Sequence, residues 1–163
     1  MTPSAIVLMG VSGSGKSAVG KALATRLGWR FHDADDYHPA ANVEKMRSGR
    51  ALDDSDRWPW LDRLNSLLRH SAAKHEPIVL ACSALKQRYR ERMLDRVPAT
   101  LFVHLRGSFE LISARLSDRQ HVYMPASLLQ SQFDALEAPA DALEVDIALP
   151  IDDIVDRIAA ALN

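Results

Sequence analysis

The sequence has 163 residues, of which 47% are hydrophobic and 25% charged; these values fit one globular domain and exclude a disordered chain, a collagen-like repeat and a coiled coil. Twenty Lys and Arg residues nearly balance 21 Asp and Glu residues, so the formal charge of −1 disfavours a dedicated nucleic-acid binder. The single cysteine, Cys82, indicates a reducing compartment, and no apolar run is long enough for a signal peptide or a membrane span, which predicts a cytoplasmic protein.

Short apolar runs alternate with longer amphipathic segments, which is typical of a parallel α/β sheet. The apolar runs predict five strands, at Ser4–Met9, Trp29–His32, Pro77–Cys82, Thr100–Leu105 and Glu144–Leu149. The amphipathic segments predict helices at Lys16–Leu27, Ala40–Arg47, from Asp56 as N-cap to about His75, and at Leu85–Arg96, Ser108–Ser117, Leu128–Leu136 and Ile151–Leu162. No repeat or flexible linker interrupts this order, so we expect a single domain over residues 1–163.

The loop after the first strand carries the most specific motif, Gly10-Val11-Ser12-Gly13-Ser14-Gly15-Lys16-Ser17. It satisfies the phosphate-loop pattern, and it lies between a predicted strand and a predicted helix, as that pattern requires. Backbone N–H groups of such a loop converge with the helix N-terminus on a phosphate chain. The motif therefore predicts that these eight residues bind ATP, with Lys16 at the β- and γ-phosphates and the Ser17 hydroxyl as a ligand of Mg²⁺.

Two carboxylates follow the second predicted strand, at Asp33 and Asp35. Alternation along an extended segment would point both to the same side, and ligands of open parallel sheets bind at the carboxyl ends of the strands. We predict that Asp33 holds the metal and that Asp35 accepts the proton of an attacking hydroxyl. The third predicted strand ends at Cys82-Ser83 without a carboxylate, which leaves this chemistry to the aspartate pair.

Six segments of the sequence occur in the order seen in gluconokinases, and the sequence resembles that family over nearly its whole length. These segments are the phosphate loop, Asp33–Pro39, Asn42–Met46, Asp56–Leu61, Cys82–Lys86 and Gln132–Glu137. The resemblance implies a nucleoside-monophosphate-kinase-like fold with a short lid, and ATP-dependent phosphorylation of D-gluconate to 6-phospho-D-gluconate with Mg²⁺. It also suggests a homodimer, for which the helix that holds Trp58 and Trp60 is a candidate buried surface.

Gluconate carries a carboxylate and several hydroxyls, so its site needs cations and hydrogen-bond donors. The segments near the second and third strands offer His38, Arg57, Lys86 and Arg90, and Asp35 would contact the reacting hydroxyl. Arg57 is the first candidate for the carboxylate because its planar guanidinium can bind in bidentate fashion, and Lys86 is the second.

The segment after the fourth predicted strand resembles the lid of such kinases, which we place at about residues 118–127. Arg115 and Arg119 stand four residues apart and are predicted to clamp either the transferring phosphoryl group or the adenine. His121 is assigned to the substrate. The lid tip departs from the family pattern, since Gln120 and Val122 flank this histidine in place of a glycine and an aromatic residue.

Two other functions remain open on the sequence alone. A shikimate-kinase-like or other small-metabolite kinase would share the phosphate loop and the aspartate pair, although shikimate kinases usually carry three glycines where this chain has Cys82–Lys86. A non-catalytic nucleotide-binding module would need no acceptor pocket, so the group formed by Asp35, Arg57 and Lys86 argues against it.

Overall fold

Five parallel strands form the central sheet of the computed structural model, which describes residues 2–118 and 126–162. The strands are β1 (Ala5–Met9), β2 (Arg30–Asp33), β3 (Ile78–Ala81), β4 (Thr100–Arg106) and β5 (Leu143–Asp146). Their order in the sheet is β2-β3-β1-β4-β5, and all four pairings are parallel. The predicted fold class, a five-stranded parallel sheet flanked by helices, is confirmed.

The described residues contain seven helices and one 3₁₀ helix. They are α1 (Lys16–Leu27), the 3₁₀ helix Ala34–Tyr37, α2 (Ala40–Arg47), α3 (Asp54–Ala73), α4 (Gln87–Leu94), α5 (Phe109–Ser117), α6 (Ala126–Ala135) and α7 (Ile151–Ala160). None of the helices in these ranges is both long enough and apolar enough to cross a membrane.

Helices cover both faces of the sheet, and β1 contributes alternate residues to the two resulting cores. Ile6 and Leu8 face the core that includes residues of α1, α5 and α7. Ala5, Val7 and Met9 face the opposite core, which includes residues of α3 and α4. All five side chains are fully buried, so β1 lies at the centre of the molecule and its carboxyl end opens directly into the phosphate loop.

Several predicted boundaries were wrong. The N-cap of α3 is Asp53, not Asp56; the two carboxylates form a reciprocal capping box, in which Asp56 accepts the N–H of Asp53. The last strand ends at Asp146 instead of Leu149, because the Asp146 carboxylate and carbonyl accept the N–H groups of Ala148 and Leu149 and so close a turn. Such local side-chain bonds compete with strand pairing.

Helix α1 packs so closely on the sheet that position 20 has no room for a side chain. A Cβ atom at Gly20 would lie 2.9 Å from Cδ1 of Phe31 and 3.3 Å from Cδ1 of Leu8. Alanine is favoured by helix propensity by about 1 kcal/mol, but overpacking a core costs about 1–3 kcal/mol. We expect Gly20→Ala to lower the free energy of unfolding, measured by urea denaturation, while Thr25→Ala on the exposed face of α1 leaves it unchanged or raises it.

Candidate active site

A cavity of about 1000 Å³ lies at the carboxyl ends of the central strands. Its walls include residues at or within three positions of the carboxyl ends of β1, β2 and β3, and ligands of open parallel sheets bind at this edge. The structure brings these predicted site residues together in its wall: Ser12, Gly13, Gly15, Lys16, Ser17, Asp33, Asp35, His38, Arg57 and Lys86.

The backbone of the phosphate loop adopts left-handed conformations at two of its glycines. Gly13 and Gly15 have φ angles of 82° and 92°, and a Cβ atom at Gly13 would lie 2.8 Å from Cγ of Leu116 in α5. The Lys16 ammonium donates to the carbonyls of Gly10 and Val11, at 3.0 Å each, and lies in the cavity wall. Lys16 therefore braces the start of the loop and presents a positive charge where phosphates would bind.

The remaining loop residues lie beneath the cavity surface. Gly10, Val11 and Ser14 are buried and do not line the cavity. Gly10 must be a glycine, since a Cβ atom there would lie 2.7 Å from Oγ of Ser14 and 2.9 Å from the carbonyl oxygen of Leu105. These three residues shape the loop, whereas the other five can meet a ligand directly.

Ser17 and Asp33, the two residues predicted to bind the metal, lie side by side in the cavity wall. The Ser17 hydroxyl donates to Oδ2 of Asp33 at 3.2 Å, and the backbone N–H of Asp35 donates to Oδ1 of the same carboxylate at 3.0 Å. Hydroxyl and carboxylate oxygens suit Mg²⁺, which usually takes one or two protein ligands together with phosphate oxygens and water. No cluster of three or more His, Cys, Asp or Glu ligands occurs among the described residues.

Asp35 reaches the cavity through a turn that the sequence did not predict. Asp33 is the last residue of β2 and caps the 3₁₀ helix that holds Asp35. Both carboxylates line the cavity, as predicted. Asp35 faces the cavity because of this tight turn, and not because side chains alternate along a strand.

Burial raises the pKa of Asp35 above its ordinary value, and the neighbouring charge of Asp33 raises it further. His38 and Lys16 oppose both effects. A raised pKa moves a carboxylate towards the range in which it can accept a proton from a substrate hydroxyl.

His38 is held in one orientation, in surroundings that favour its neutral form. Its ring stacks on Trp60 with 4.4 Å between centroids, and burial lowers its pKa, which favours the neutral ring. The Asn42 amide nitrogen donates to the carbonyl of Asp56 at 2.9 Å and lies 3.2 Å from Nδ1 of His38. Nδ1 is therefore the acceptor of this contact, and the proton sits on Nε2, where it can serve as a hydrogen-bond donor.

Arg57 lies in the cavity wall, over the ring of Tyr89. Its guanidinium carbon is 5.3 Å from the ring centroid, and Nη1 is 3.5 Å from Oδ1 of Asp54. The Tyr89 hydroxyl donates to the same oxygen of Asp54 at 2.6 Å. The aromatic face and the carboxylate together fix the plane of the guanidinium, and Lys86, at the start of α4, lines the same cavity.

Arg90 does not line the cavity, and the predicted substrate contact is wrong for this residue. Only 4% of Arg90 is exposed, and its guanidinium donates to the carbonyls of Ala84 and Glu137, each at 2.7 Å. Ala84 has a φ angle of 44°, a left-handed conformation that is unfavourable for residues with a Cβ atom. Arg90 thus supports the strained connection between β3 and α4.

The predicted lid is described only in part. Arg119 and His121 lie outside the described residues. Arg115 belongs to the last turn of α5 and donates to the carbonyl of Ile147 at 2.6 Å, in the connection between β5 and α7. It does not line the cavity, so in this structure it does not face the residues predicted to bind the acceptor.

Sequence reasoning assigned no role in ligand binding to several residues in the cavity wall, among them Trp60, Asp54, Tyr89 and Gln132. Trp60 is buried, and its indole N–H donates to the carbonyl of Ala34 at 2.7 Å, so this side chain of α3 packs inside the fold. Gln132 lies in one of the six segments that resemble gluconokinases, but nothing in the sequence indicated what this residue contacts. Asp54 and Tyr89 carried no sequence signal that distinguished them from neighbouring charged and aromatic residues.

Comparisons with known proteins show which family the chain belongs to. The chain is 46% identical to the probable gluconokinase of Xenopus tropicalis, over 97% of this chain and 90% of that protein. It is 40% identical to the thermosensitive gluconokinase of Escherichia coli (strain K12), over 99% of this chain and 89% of that protein. The chain belongs to the gluconokinase family.

The structural comparison agrees with membership of the gluconokinases. A crystal structure of a gluconokinase from Sinorhizobium meliloti superposes with a TM-score of 0.87 at 42% identity, covering 99% of this chain and 92% of that one. The model of the shikimate kinase family matches residues 12–143. Both findings identify a phosphate-loop kinase of small metabolites, and the full-length relatives favour the gluconokinases over the shikimate-kinase alternative.

Proposed function

We propose that this chain transfers the γ-phosphoryl group of ATP to D-gluconate and forms 6-phospho-D-gluconate. The observation that carries the proposal is one cavity whose wall combines the phosphate loop, two carboxylates and the cations Arg57 and Lys86. A nucleotide-binding module would need only the first of these groups. A phosphotransferase with an acidic, hydroxylated acceptor needs all three.

The nucleotide phosphates bind to the loop between β1 and α1 in this proposal. The backbone N–H groups of the loop and the N-terminus of α1 supply donors and a positive dipole. Ser17 and Asp33 would hold Mg²⁺, which when bound neutralises charge on the phosphates. Arg115 donates to the carbonyl of Ile147 in the connection between β5 and α7, and its predicted contact with the phosphoryl group or the adenine stays a prediction.

The acceptor binds opposite the loop. Asp35 accepts the proton of the reacting hydroxyl, and the Nε2 proton of His38 donates to an acceptor oxygen. Arg57 binds the carboxylate with its planar guanidinium, and Lys86 adds a second positive charge. This arrangement would hold the hydroxyl and the γ-phosphate in line, and positioning of this kind supplies most of the rate in phosphoryl transfer.

An acceptor panel tests the proposal directly. Purified protein with ATP and Mg²⁺ is assayed for ADP release with gluconate, other sugar acids, shikimate and nucleoside monophosphates. We expect gluconate to give the fastest release, with one phosphorylated product detectable by mass spectrometry. Gluconate that does not raise ADP release above background hydrolysis would reject the proposed function, and a preference for shikimate would restore that alternative.

Arg57→Lys tests the carboxylate contact. Lysine keeps the positive charge but loses the bidentate geometry and the stacking on Tyr89, so we expect KM for gluconate to rise by about 10-fold or more. KM for ATP should stay close to that of the wild type, because Arg57 lies on the acceptor side. Arg69→Lys, an exposed change on the same helix, is the matched control; equal effects of the two changes on KM for gluconate would contradict the assignment.

Three further expectations stay predictions: residues 1–163 as a single kinase domain with a lid at about 118–127, a homodimer, and a cytoplasmic location. Within α3, Trp60 is buried inside the fold, whereas Trp58 is only partly buried and stays a candidate for subunit contact. Light scattering on a size-exclusion column tests the dimer, and imaging of a fluorescent fusion tests the location.

A further inference from the structure

A hydrogen-bonded pair joins α6 to the tip of the phosphate loop. The backbone N–H of Ser12 donates to Oε1 of Gln132 at 2.7 Å, and Nε2 of Gln132 donates to the Ser12 hydroxyl at 3.0 Å. Both residues line the cavity. A side-chain amide carries one acceptor and one donor group, so a single Gln132 pairs with both the backbone N–H and the hydroxyl of Ser12.

The segment that follows α6 is attached to the acceptor side of the cavity. The N–H of Glu137 donates to the carbonyl of Leu85 at 2.7 Å, and the Glu137 carboxylate accepts the N–H of Gln87 at 2.8 Å. Arg90 donates to the carbonyl of Glu137. These bonds enclose Lys86, the predicted acceptor residue, between two fixed neighbours.

Only four residues separate Gln132 from Glu137, and α6 is packed firmly against the fold. Leu129 is buried in the core, and the Phe133 ring packs against Phe109 of α5 with 5.8 Å between centroids. Helix α6 ends at Ala135, so most of this stretch is helical and stiff. A shift of the phosphate loop that moves Gln132 would therefore move the anchors on both sides of Lys86.

We propose that Gln132 is a positioning residue that couples the two substrates: it ties the phosphate loop to α6, and α6 transmits nucleotide binding to the segment that presents Lys86. The proposal rests on the proposed function, since it takes ATP and gluconate as the two ligands. It predicts that nucleotide bound at the loop strengthens gluconate binding, and by thermodynamic linkage that gluconate strengthens nucleotide binding by the same factor.

The test measures the dissociation constant of gluconate by calorimetry, with and without a saturating non-hydrolysable ATP analogue and Mg²⁺. The ratio of the two constants is the coupling factor, and typical couplings are about 5- to 150-fold. We expect a factor in this range for the wild type and a factor close to one for Gln132→Ala. Gln130→Ala is the matched control, because Gln130 is exposed on the same helix and bonds only to Asp134 in the described structure, so it should keep the wild-type factor.

A second variant tests the other end of the link. Glu137→Ala removes the bond to the N–H of Gln87 and leaves the contact with Ser12 in place, and it too should reduce the coupling factor. This variant keeps the proposal testable if Gln132→Ala does not fold. The double variant should lose no more coupling than the larger single loss, because both residues act in one chain of contacts.

A residue that merely supports the loop would behave differently. Gln132→Ala would then weaken binding of the ATP analogue or lower the melting temperature, with the coupling factor unchanged, and this result would overturn the proposal. A wild type that phosphorylates gluconate but shows no coupling would overturn it while the proposed function stands. A wild type that does not phosphorylate gluconate rejects the proposed function, and the coupling proposal falls with it.

Discussion

Lys16→Ala is expected to nearly abolish turnover, with a loss of about 10³-fold or more in kcat, while the protein remains folded. The Lys16 ammonium lies in the cavity wall and is held by the carbonyls of Gly10 and Val11. In the proposed function its charge stabilises negative charge on the transferring phosphoryl group, and removal of one such electrostatic contact typically costs about 10²–10³-fold in rate. Steady-state kinetics with gluconate and ATP measure the loss.

Circular dichroism and thermal unfolding must accompany the kinetics, because Lys16 also braces the loop. Lys21→Ala is the matched control, since Lys21 is an exposed cation on the same helix and does not line the cavity. We expect this control to keep wild-type kinetics. Normal turnover in Lys16→Ala would overturn the assignment of the loop to the phosphates.

Asp35→Asn is expected to lower kcat by about 10²–10⁴-fold, the usual contribution of a general base, with a much smaller effect on ATP affinity. The amide has nearly the shape of the carboxylate but cannot accept the hydroxyl proton. Nucleotide affinity is measured with a fluorescent ATP analogue, separately from kcat. The base is needed only as the hydroxyl reacts, so the two quantities should separate.

Asp36→Asn is the control for this change, because Asp36 is adjacent and exposed but does not line the cavity. Its kcat should stay close to that of the wild type. If Asp35→Asn mainly weakens nucleotide binding instead, Asp35 belongs with Asp33 at the metal and the base must be sought elsewhere.

The raised pKa of Asp35 has opposite consequences for activity and stability. The base works when ionised, so kcat/KM should fall as the pH falls through the pKa of Asp35, at a higher pH than for a carboxyl with the ordinary value of 3.8. A pKa raised by folding contributes stability below the unfolded value, and this contribution is lost as the pH rises through the folded value. At pH 7 the ionised carboxylate therefore costs stability, and Asp35→Asn should melt at a higher temperature than the wild type. Asp35 is still exposed to solvent, which weakens the effect of its surroundings, so the increase should be small.

The sequence by itself determined the sheet, the phosphate loop and the aspartate pair. These features depend on local patterns: buried runs of strand length, a contiguous motif, and carboxylates directly after a strand. The first helix, Lys16–Leu27, and its capping Gly28 matched the structure residue for residue. These strands, loops and caps can be recognised in the sequence because each depends on residues that are close together along the chain.

Only the tertiary structure decided which of the predicted cations line the cavity. Tyr89 and Arg90 are adjacent in α4 and both buried, yet Tyr89 lines the cavity beneath Arg57 while Arg90 faces Glu137. Helical spacing separates a buried face from an exposed one, but it does not tell which buried side chain meets a cavity and which meets a neighbouring backbone. That depends on how α4 is rotated against α3 and on where the segment after α6 packs.

The contact between Ser12 and Gln132 shows the same limit most directly. The two residues are 120 positions apart, and no local pattern pairs them. Their hydrogen bonds form because the packing of Phe133 and the burial of Leu129 hold α6 in one position beside the loop. Local sequence determined the phosphate loop, but long-range packing decided what holds it, because hydrogen bonds of this kind need two distant backbones brought within about 3 Å.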